Sequence, residues 1–436
     1  MFLNMEKLAL FGGKPILTKK MPSYNTIGKE EKRVVLKVMK EKNLSDFLGR
    51  AGEKFLGGKY VKKLEEYFCK YFKVKYAVSF NSASTALQAA VGALGIGPGD
   101  EVITSPYTMS VTPSAVLFNN ALPVFADIEE NYFCLDSESV KKNINKKTKA
   151  ILAVNLFGGS TDYDPILRIA RKNKLKIIED NSQSPAATYK GRLTGTIGDI
   201  GVFSFNSHKV IQCGEGGVLI TNNKKYAFRA QLIRNHGEAV IDDLLQEKEI
   251  YEPILGNNFR LAEISAAIAI EQFKKLTRLN KQRIFLADYL TKKLRQFDWL
   301  VPAKILKNSI HVFYVYPFRF LSSRIDIKRS TFAEAMKAEG FPLAQGYQKP
   351  LYLMPLYQKK EICPNSHFPF ISKEYPHSIS YKKGICPVAE RMYERELLST
   401  NICRPPQTTK EINLFIRAIS KIEKNITDLK RYEKNL

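Results

Sequence analysis

Lys209 stands in FSFNSHKVIQCGEGGVLIT, residues 203–221, between two short apolar runs and just ahead of Gly214, Gly216 and Gly217. A lysine amine held near a strand end and partly desolvated is a usable nucleophile toward a carbonyl. The glycines allow a tight turn and a close approach of backbone to a ligand. Upstream by 29 positions, the run KIIED ends in Asp180 and is followed by Asn181, Ser182 and Gln183. A carboxylate at a strand end could ligate a metal, act as a base or cap a helix. Farther upstream, AVSF is followed by Asn81, Ser82, Ala83, Ser84 and Thr85, small and hydroxyl-bearing residues that open a helix. Free backbone N–H groups, the positive end of the helix dipole and hydroxyl donors together suit a phosphate. Taken singly, each feature has an ordinary reading: a solvated loop lysine, a capping acid, a Ser/Thr N-cap. In this order they form the set that pyridoxal phosphate requires. The phosphate is seated, a carboxylate keeps the ring nitrogen protonated so that the ring accepts electrons, and an amine holds the aldehyde as a Schiff base.

These groups must be positioned by the elements that precede them. Between residues 60 and 225, Val/Ile/Phe-rich runs at 77–80, 101–104, 123–127, 150–155, 176–180, 201–205 and 217–221 alternate with helical patterns at 61–72, 85–94, 112–120 and 162–173. This predicts an α/β fold with a mostly parallel sheet buried between helices. In such sheets ligands bind outside the carboxyl ends of the strands, where Asp180 and Lys209 fall. Residues 261–297 read as a long helix broken at most once. Strand-like 311–320 and helical 329–340 and 410–426 predict a smaller C-terminal α+β domain. The division expected is a large cofactor-binding domain, 20–275, and a small domain, 276–436. The Pro-, Tyr- and His-rich stretch 345–390 is long and irregular, which suggests function. Its segment 346–357 and the surroundings of His367 and His377 are expected on the substrate side.

The chain of 436 residues, 44% hydrophobic and 25% charged, has the composition of a globular protein. No apolar run approaches the length of a membrane span. The N-terminus is too interrupted for a signal peptide, so a cytoplasmic location is expected. Six cysteines without CxxC spacing and five histidines without HExxH predict neither a disulfide framework nor a metal site. The net charge of +25 raises nucleic acid as a partner. The lysines, however, are mixed with acids at helical spacing, as on solvated helix faces. Neither nucleic acid nor a membrane is therefore expected.

The motifs also resemble those of the DegT/DnrJ/EryC1/StrS family of sugar and cyclitol aminotransferases. The likeness runs through GGKYVKKLEEYFCKYFKVKYAVSFNSASTALQAAVGALGIGPGDEVIT, PVFADIEENYFCLD, TKAILAVNLFGG, EDNSQSPAATYKG, GDIGVFSFNSHKVIQCGEGGVLIT, IRNHG, LGNNFRLAEISAAIAIEQ and CPVAERMYERELLS, in that order. The resemblance implies the aspartate aminotransferase-like fold type I and pyridoxal 5'-phosphate as cofactor. It implies that Lys209 bonds the cofactor and then carries a proton between two carbons. Asp180 would pair with the pyridine nitrogen and Gln183 with the ring's phenolic oxygen. The backbone of Ala83, with Ser84 and Ser204, would hold the phosphate. Asn258 would reach the phosphate of a neighbouring subunit, making a homodimer with shared active sites. Two positions depart from the family pattern. Ala83-Ser84 replaces the frequent Gly-Thr, and the aromatic expected over the ring is Met109 by register, with Tyr107 as the alternative. A thioether can pack on a π face. A dehydratase branch has histidine at the aldehyde-bonding position. Here the lysine falls in that register, which implies transamination, and His208 is read as a supporting group.

The expected reaction moves an amino group from glutamate or glutamine to a keto-sugar, nucleotide-linked, for polysaccharide or glycosylated-metabolite biosynthesis. The opening LALFGGKPI resembles the cyclitol branch and keeps a free keto-inositol as the alternative acceptor. A non-enzymatic regulator or nucleic-acid binder is the reading of a different class. It gives no reason for a Schiff-base lysine accompanied by Asp180 and Gln183.

Overall fold

A computed structural model describes residues 6–240, 254–375 and 379–435. The expectation for His377 lies outside them. Seven strands form the main sheet: β1 (Tyr76–Phe80), β2 (Glu101–Thr104), β3 (Leu122–Phe125), β4 (Thr148–Val154), β5 (Lys176–Asp180), β8 (Ile200–Ser204) and β9 (Gly217–Thr221). Between β5 and β8 lies a small hairpin, β6 (Thr188–Tyr189) and β7 (Arg192–Leu193). The strand order is β1-β9-β8-β5-β4-β2-β3. All pairs from β8 to β3 are parallel, whereas β9 runs antiparallel to both β1 and β8. The sheet is thus mostly parallel, as expected, with one reversed strand.

Successive side chains of a strand point to opposite faces, and here both faces are covered. In β4, Ala150, Leu152 and Val154 join one core with Ile178, Val202 and Leu219, while Ile151 and Ala153 join another with Ile103 and Ile177. Phe203, Val218 and Ile220 face a third core beneath the helices Lys59–Phe72 and Glu263–Leu294. The first of these helices buries Tyr60, Val61, Leu64, Phe68 and Phe72 along one stripe, the spacing of an amphipathic helix. The helix Ala83–Ala93 buries mostly alanines against the sheet and the helix Lys224–Arg234.

A second sheet is wholly antiparallel: β10 (Leu300–Pro302), β11 (Tyr316–Phe320), β13 (Leu397–Thr400) and β12 (Ala344–Gln345), in that order. Its core holds Trp299, Phe318, Phe320 and Leu398 against the helices Arg329–Ala338 and Thr409–Lys424. The helix Glu263–Leu294 is unbroken and serves both cores. Ala266, Ile270 and Phe273 pack beneath the large sheet, and Leu286, Leu290 and Leu294 beneath the small one.

The strand expected over 311–320 covers only Tyr316–Phe320. Residues 311–314 instead cross the turn at 158–159, with Val312 N donating to Gly158 O at 2.7 Å. Residues 345–375 and 379–390 fold back onto the large sheet. Leu351 N donates to Pro106 O and Tyr381 Oη to Pro123 O, each at 2.9 Å. Tyr352, Tyr357 and Tyr381 ring Phe125 at 5.3–5.8 Å. Burying one such aromatic contributes about 1.5–3 kcal/mol, which seats this otherwise irregular chain over the ends of β2 and β3.

Candidate active site

The register of the sheet brings the carboxyl ends of four strands to one level. Asp180 lies beside Val154 on one side and Val202 on the other. Ser204 is paired with Gly217, and Gly217 with Phe80. Because β9 begins where β1 and β8 end, Gly216 and Gly217 occupy the gap between two strand termini. A Cβ on Gly217 would fall 2.6 Å from Ala83 N and 2.7 Å from Ser82 C. Only the missing side chain lets the helix Ala83–Ala93 start so close to the sheet edge. Ser82 caps that helix, its Oγ accepting from Thr85 N at 3.2 Å. The N–H groups of Ala83 and Ser84, in the first turn, precede any intrahelical bond. Ser84 is exposed, and Ser204 is buried with its Oγ accepting from Asn206 N at 3.3 Å. Gly217→Ala is expected to cost about 1–3 kcal/mol of stability through this overlap and to weaken binding of pyridoxal phosphate at least tenfold. Thermal melting and cofactor titration check it, and unchanged values for both would show that the close approach is dispensable.

Asp180 is buried. Its Oδ2 accepts from Thr112 Oγ1 at 3.0 Å and its Oδ1 from Ser182 N at 3.1 Å. Among the described residues no cation pairs with it. Gln183, also buried, accepts from Phe157 N at 2.9 Å and donates from Nε2 to Tyr347 Oη at 3.0 Å. Phe157 adopts φ +59°, a left-handed conformation that an L-residue takes only under constraint. Gly158 follows with φ +105°, and a Cβ there would meet Phe313 N and Tyr314 N at 2.6 Å. This contact lays residues 313–314 across the site.

Lys209 sits in the loop that joins β8 to β9. Phe205 N donates to Gly216 O and Cys213 N to Phe205 O, so the strand pair closes the loop at its base. Beyond the lysine, Val210 and Ile211 are buried in the core, and Val210 O accepts from Tyr24 Oη at 2.6 Å. The half-buried lysine is therefore held on both sides, and its Nζ lies 5.0 Å from the centre of the Tyr314 ring. His208 is exposed, its backbone N donating to Asn206 Oδ1.

The two candidates for covering the cofactor ring part company. Tyr107 is fully buried and meets Tyr347 edge-on at 6.0 Å, whereas Met109 is 43% exposed, with the Gln348 amide 3.7 Å from its sulfur. Asn258 is exposed, its Oδ1 accepting from Arg260 Nε at 2.7 Å. Next to it, Phe259 O accepts from Asn81 N, just ahead of the capping Ser82. Thr112, Phe157, Tyr314 and Tyr347 were not singled out from the sequence. Tyr347 lies inside the segment expected on the substrate side, and Thr112 stands one turn after Met109. Tyr314 carries no local signal, because 311–320 has the pattern of one strand.

His311 supports the crossing segment. It is 7% exposed, and its Nδ1 accepts from Phe313 N at 3.0 Å. Burial pushes its pKa down to about 3. The unfolded chain binds a proton near the ordinary value of about 6.5. Between these values the unfolded state holds more protons, so stability present above about pH 6.5 is lost as pH falls, by ~1.4 kcal/mol per unit. On going from pH 6.5 to pH 5, denaturant titrations should show the wild type losing ~2 kcal/mol more than His311→Gln. Equal losses would mean that the ring is not held neutral.

These residues fit pyridoxal phosphate. The close approach of Gly217 sets the free N–H groups of Ala83 and Ser84 at the strand ends, where a phosphate can accept from them. Asp180 is a buried carboxylate with no cation paired to it among the described residues, and the half-buried amine of Lys209 stands in the loop that joins β8 to β9. The sequence model of the DegT/DnrJ/EryC1/StrS aminotransferase family matches residues 39–399. The chain is 33% identical over 301 residues to the GDP-perosamine synthase of Caulobacter vibrioides, spanning 69% of this chain and 79% of that protein. It is 30% identical over 431 residues to a Micromonospora echinospora protein provisionally named an L-glutamine:3-amino-2,3-dideoxy-scyllo-inosose aminotransferase, spanning 98% and 99%. The fold matches that of Helicobacter pylori PseC, an aminotransferase involved in the biosynthesis of pseudoaminic acid, with a TM-score of 0.75, 25% identity and coverage of 93% and 100%. Among the described residues no helix is long and apolar enough to cross a membrane, and no cluster could hold a metal ion.

Proposed function

Because the chain belongs to the DegT/DnrJ/EryC1/StrS aminotransferase family, an enzyme family that uses pyridoxal phosphate, we propose that it moves an amino group from glutamate or glutamine to a nucleotide-linked keto-sugar. The observation that carries this is the convergence of Lys209, Asp180 and Gln183 with the Ala83 helix start at one edge of a parallel sheet. The bound cofactor supplies an electron-accepting ring that stabilises charge at the carbon losing its proton. Asp180, oriented by Thr112 and paired with no cation among the described residues, would keep the ring nitrogen protonated. Gln183 has one Nε2 hydrogen beyond its bond to Tyr347 and would orient the ring with it. Ala83 N–H, Ser84 and Ser204 would hold the phosphate, and Met109 is the side chain that would pack against the ring. The Lys209 amine takes a proton from one carbon and returns it to another, with Tyr314 limiting its swing. His208 is exposed and has no part in this scheme beyond that of a supporting group.

The second subunit enters through Asn258. It is exposed beside Leu255, a large apolar residue 77% exposed, which favours an interface where Asn258 meets the partner's phosphate. A free cyclitol is the second acceptor, favoured by one observation. The Micromonospora echinospora relative matches nearly end to end, including the N-terminal segment. Here that segment is tied to the small sheet's helices by Glu339, which accepts from Ala9 N and Ile16 N and pairs with Lys421. The test supplies L-glutamate or L-glutamine with nucleotide-linked keto-sugars and with keto-inositols, and weighs the amine product. Amination of a nucleotide-linked sugar is expected; amination of inositol substrates alone would replace this reading with the cyclitol one.

A further inference from the structure

Two arginines meet at the Tyr314 carbonyl with no acid paired to them among the described residues. Arg283, on the long helix, is fully buried; its Nη1 donates to Phe313 O at 3.2 Å and to Tyr314 O at 3.3 Å. Its Nε and Nη2 are buried without a partner, and its guanidinium stacks on Tyr24 at 4.6 Å. Arg404 follows β13 and donates from Nε and Nη2 to the same Tyr314 O at 3.2 and 3.0 Å. Neither arginine forms an ion pair among the described residues. Burial, reinforced by the Arg283 charge, holds Arg404 below its usual pKa. Two like charges in a poorly hydrated place repel strongly, and buried guanidinium N–H groups without acceptors are costly. An anion on Arg404 would offset the repulsion.

Tyr314 also links this pair to the reacting amine. Its ring centre lies 5.1 Å from Arg404 Cζ and 5.0 Å from Lys209 Nζ. The two charges are thus no farther apart than these distances combined. The amino group to be transferred must come to Lys209, and in an amino acid the α-carboxylate sits on the carbon that bears that group. A sugar diphosphate is set off from the reacting carbon by a sugar ring. We infer that Arg404, held in place by Tyr314 O and backed by Arg283, binds the α-carboxylate of the amino-acid donor. This rests on the aminotransferase reading and assigns one of its two substrates to a defined place.

The test uses the cofactor-loaded enzyme and its Arg404→Gln and Arg404→Lys variants. Calorimetric titration with glutarate, which binds but cannot react, should show affinity falling roughly tenfold to a hundredfold in Arg404→Gln, the worth of a charge-assisted pair. Arg404→Lys should recover part of it. The donor KM should rise by a similar factor while the acceptor KM stays within about twofold and the cofactor absorbance is unchanged, which also shows that the variants fold. A donor KM left as in the wild type, or a rise confined to the acceptor, overturns the assignment. Wild-type enzyme that binds glutarate through Arg404 yet transfers no amine would sink the transamination reading and leave the carboxylate site standing.

Discussion

Replacing Lys209 with alanine is expected to lower amine transfer roughly ten-thousand-fold, because in the proposed reaction it removes both the nucleophile that secures the cofactor and the base that moves the proton. The loop itself should survive. Its closure rests on Phe205, Cys213 and Gly216 main-chain bonds and on the buried Val210 and Ile211, none of which uses the lysine side chain. Lys209→Arg separates two roles. Arginine keeps a cation over Tyr314 but cannot act as an amine, so it should be as inactive as alanine. Borohydride reduction followed by mass spectrometry should find the cofactor's mass on a peptide containing residue 209 in the wild type and in neither variant. A Lys209→Arg enzyme with substantial turnover would show that position 209 supplies charge alone.

Asp180→Asn should reduce turnover by about a hundred- to a thousandfold while leaving the fold in place. The size follows from removing a preorganised charge aimed at the reacting system. The mildness toward folding follows from the contacts. The amide oxygen can still accept from Ser182 N, and the Thr112 hydroxyl can rotate to accept from the new NH2 group. Buried carboxylates are costly to desolvate, so the melting temperature should stay within a few degrees or rise. Steady-state turnover together with thermal melting decides the matter. A variant with full turnover would place the ring nitrogen elsewhere, and one that fails to fold would make Asp180 a structural residue.

Much of this was legible beforehand, for identifiable reasons. The core strands carry Val, Ile and Phe in short runs because both faces of the sheet are buried, and that pattern survives without knowledge of the neighbours. The strand positions, the helix starting near Ser82 and the order of Ala83, Asp180 and Lys209 followed from it. The reversal of β9 was not legible, since GVLIT reads alike in either direction. Nor was the division between Met109 and Tyr107. Both stand in one short loop, and only packing against Tyr347 buries the tyrosine and leaves the methionine at the surface.

The sequence alone determined the candidates for chemistry: an amine, a carboxylate, a helix start with small and hydroxyl-bearing residues, and the strand ends on which they ride. These depend on residue type and short-range periodicity, which each segment carries by itself. Tertiary structure decided which groups surround them. Tyr314 meets Lys209 and Tyr347 meets Gln183 across more than a hundred residues, and Arg283 and Arg404 share the Tyr314 carbonyl oxygen across 31 and 90. Such meetings are set by the shapes of packed cores and the register of strands, and no local pattern records them.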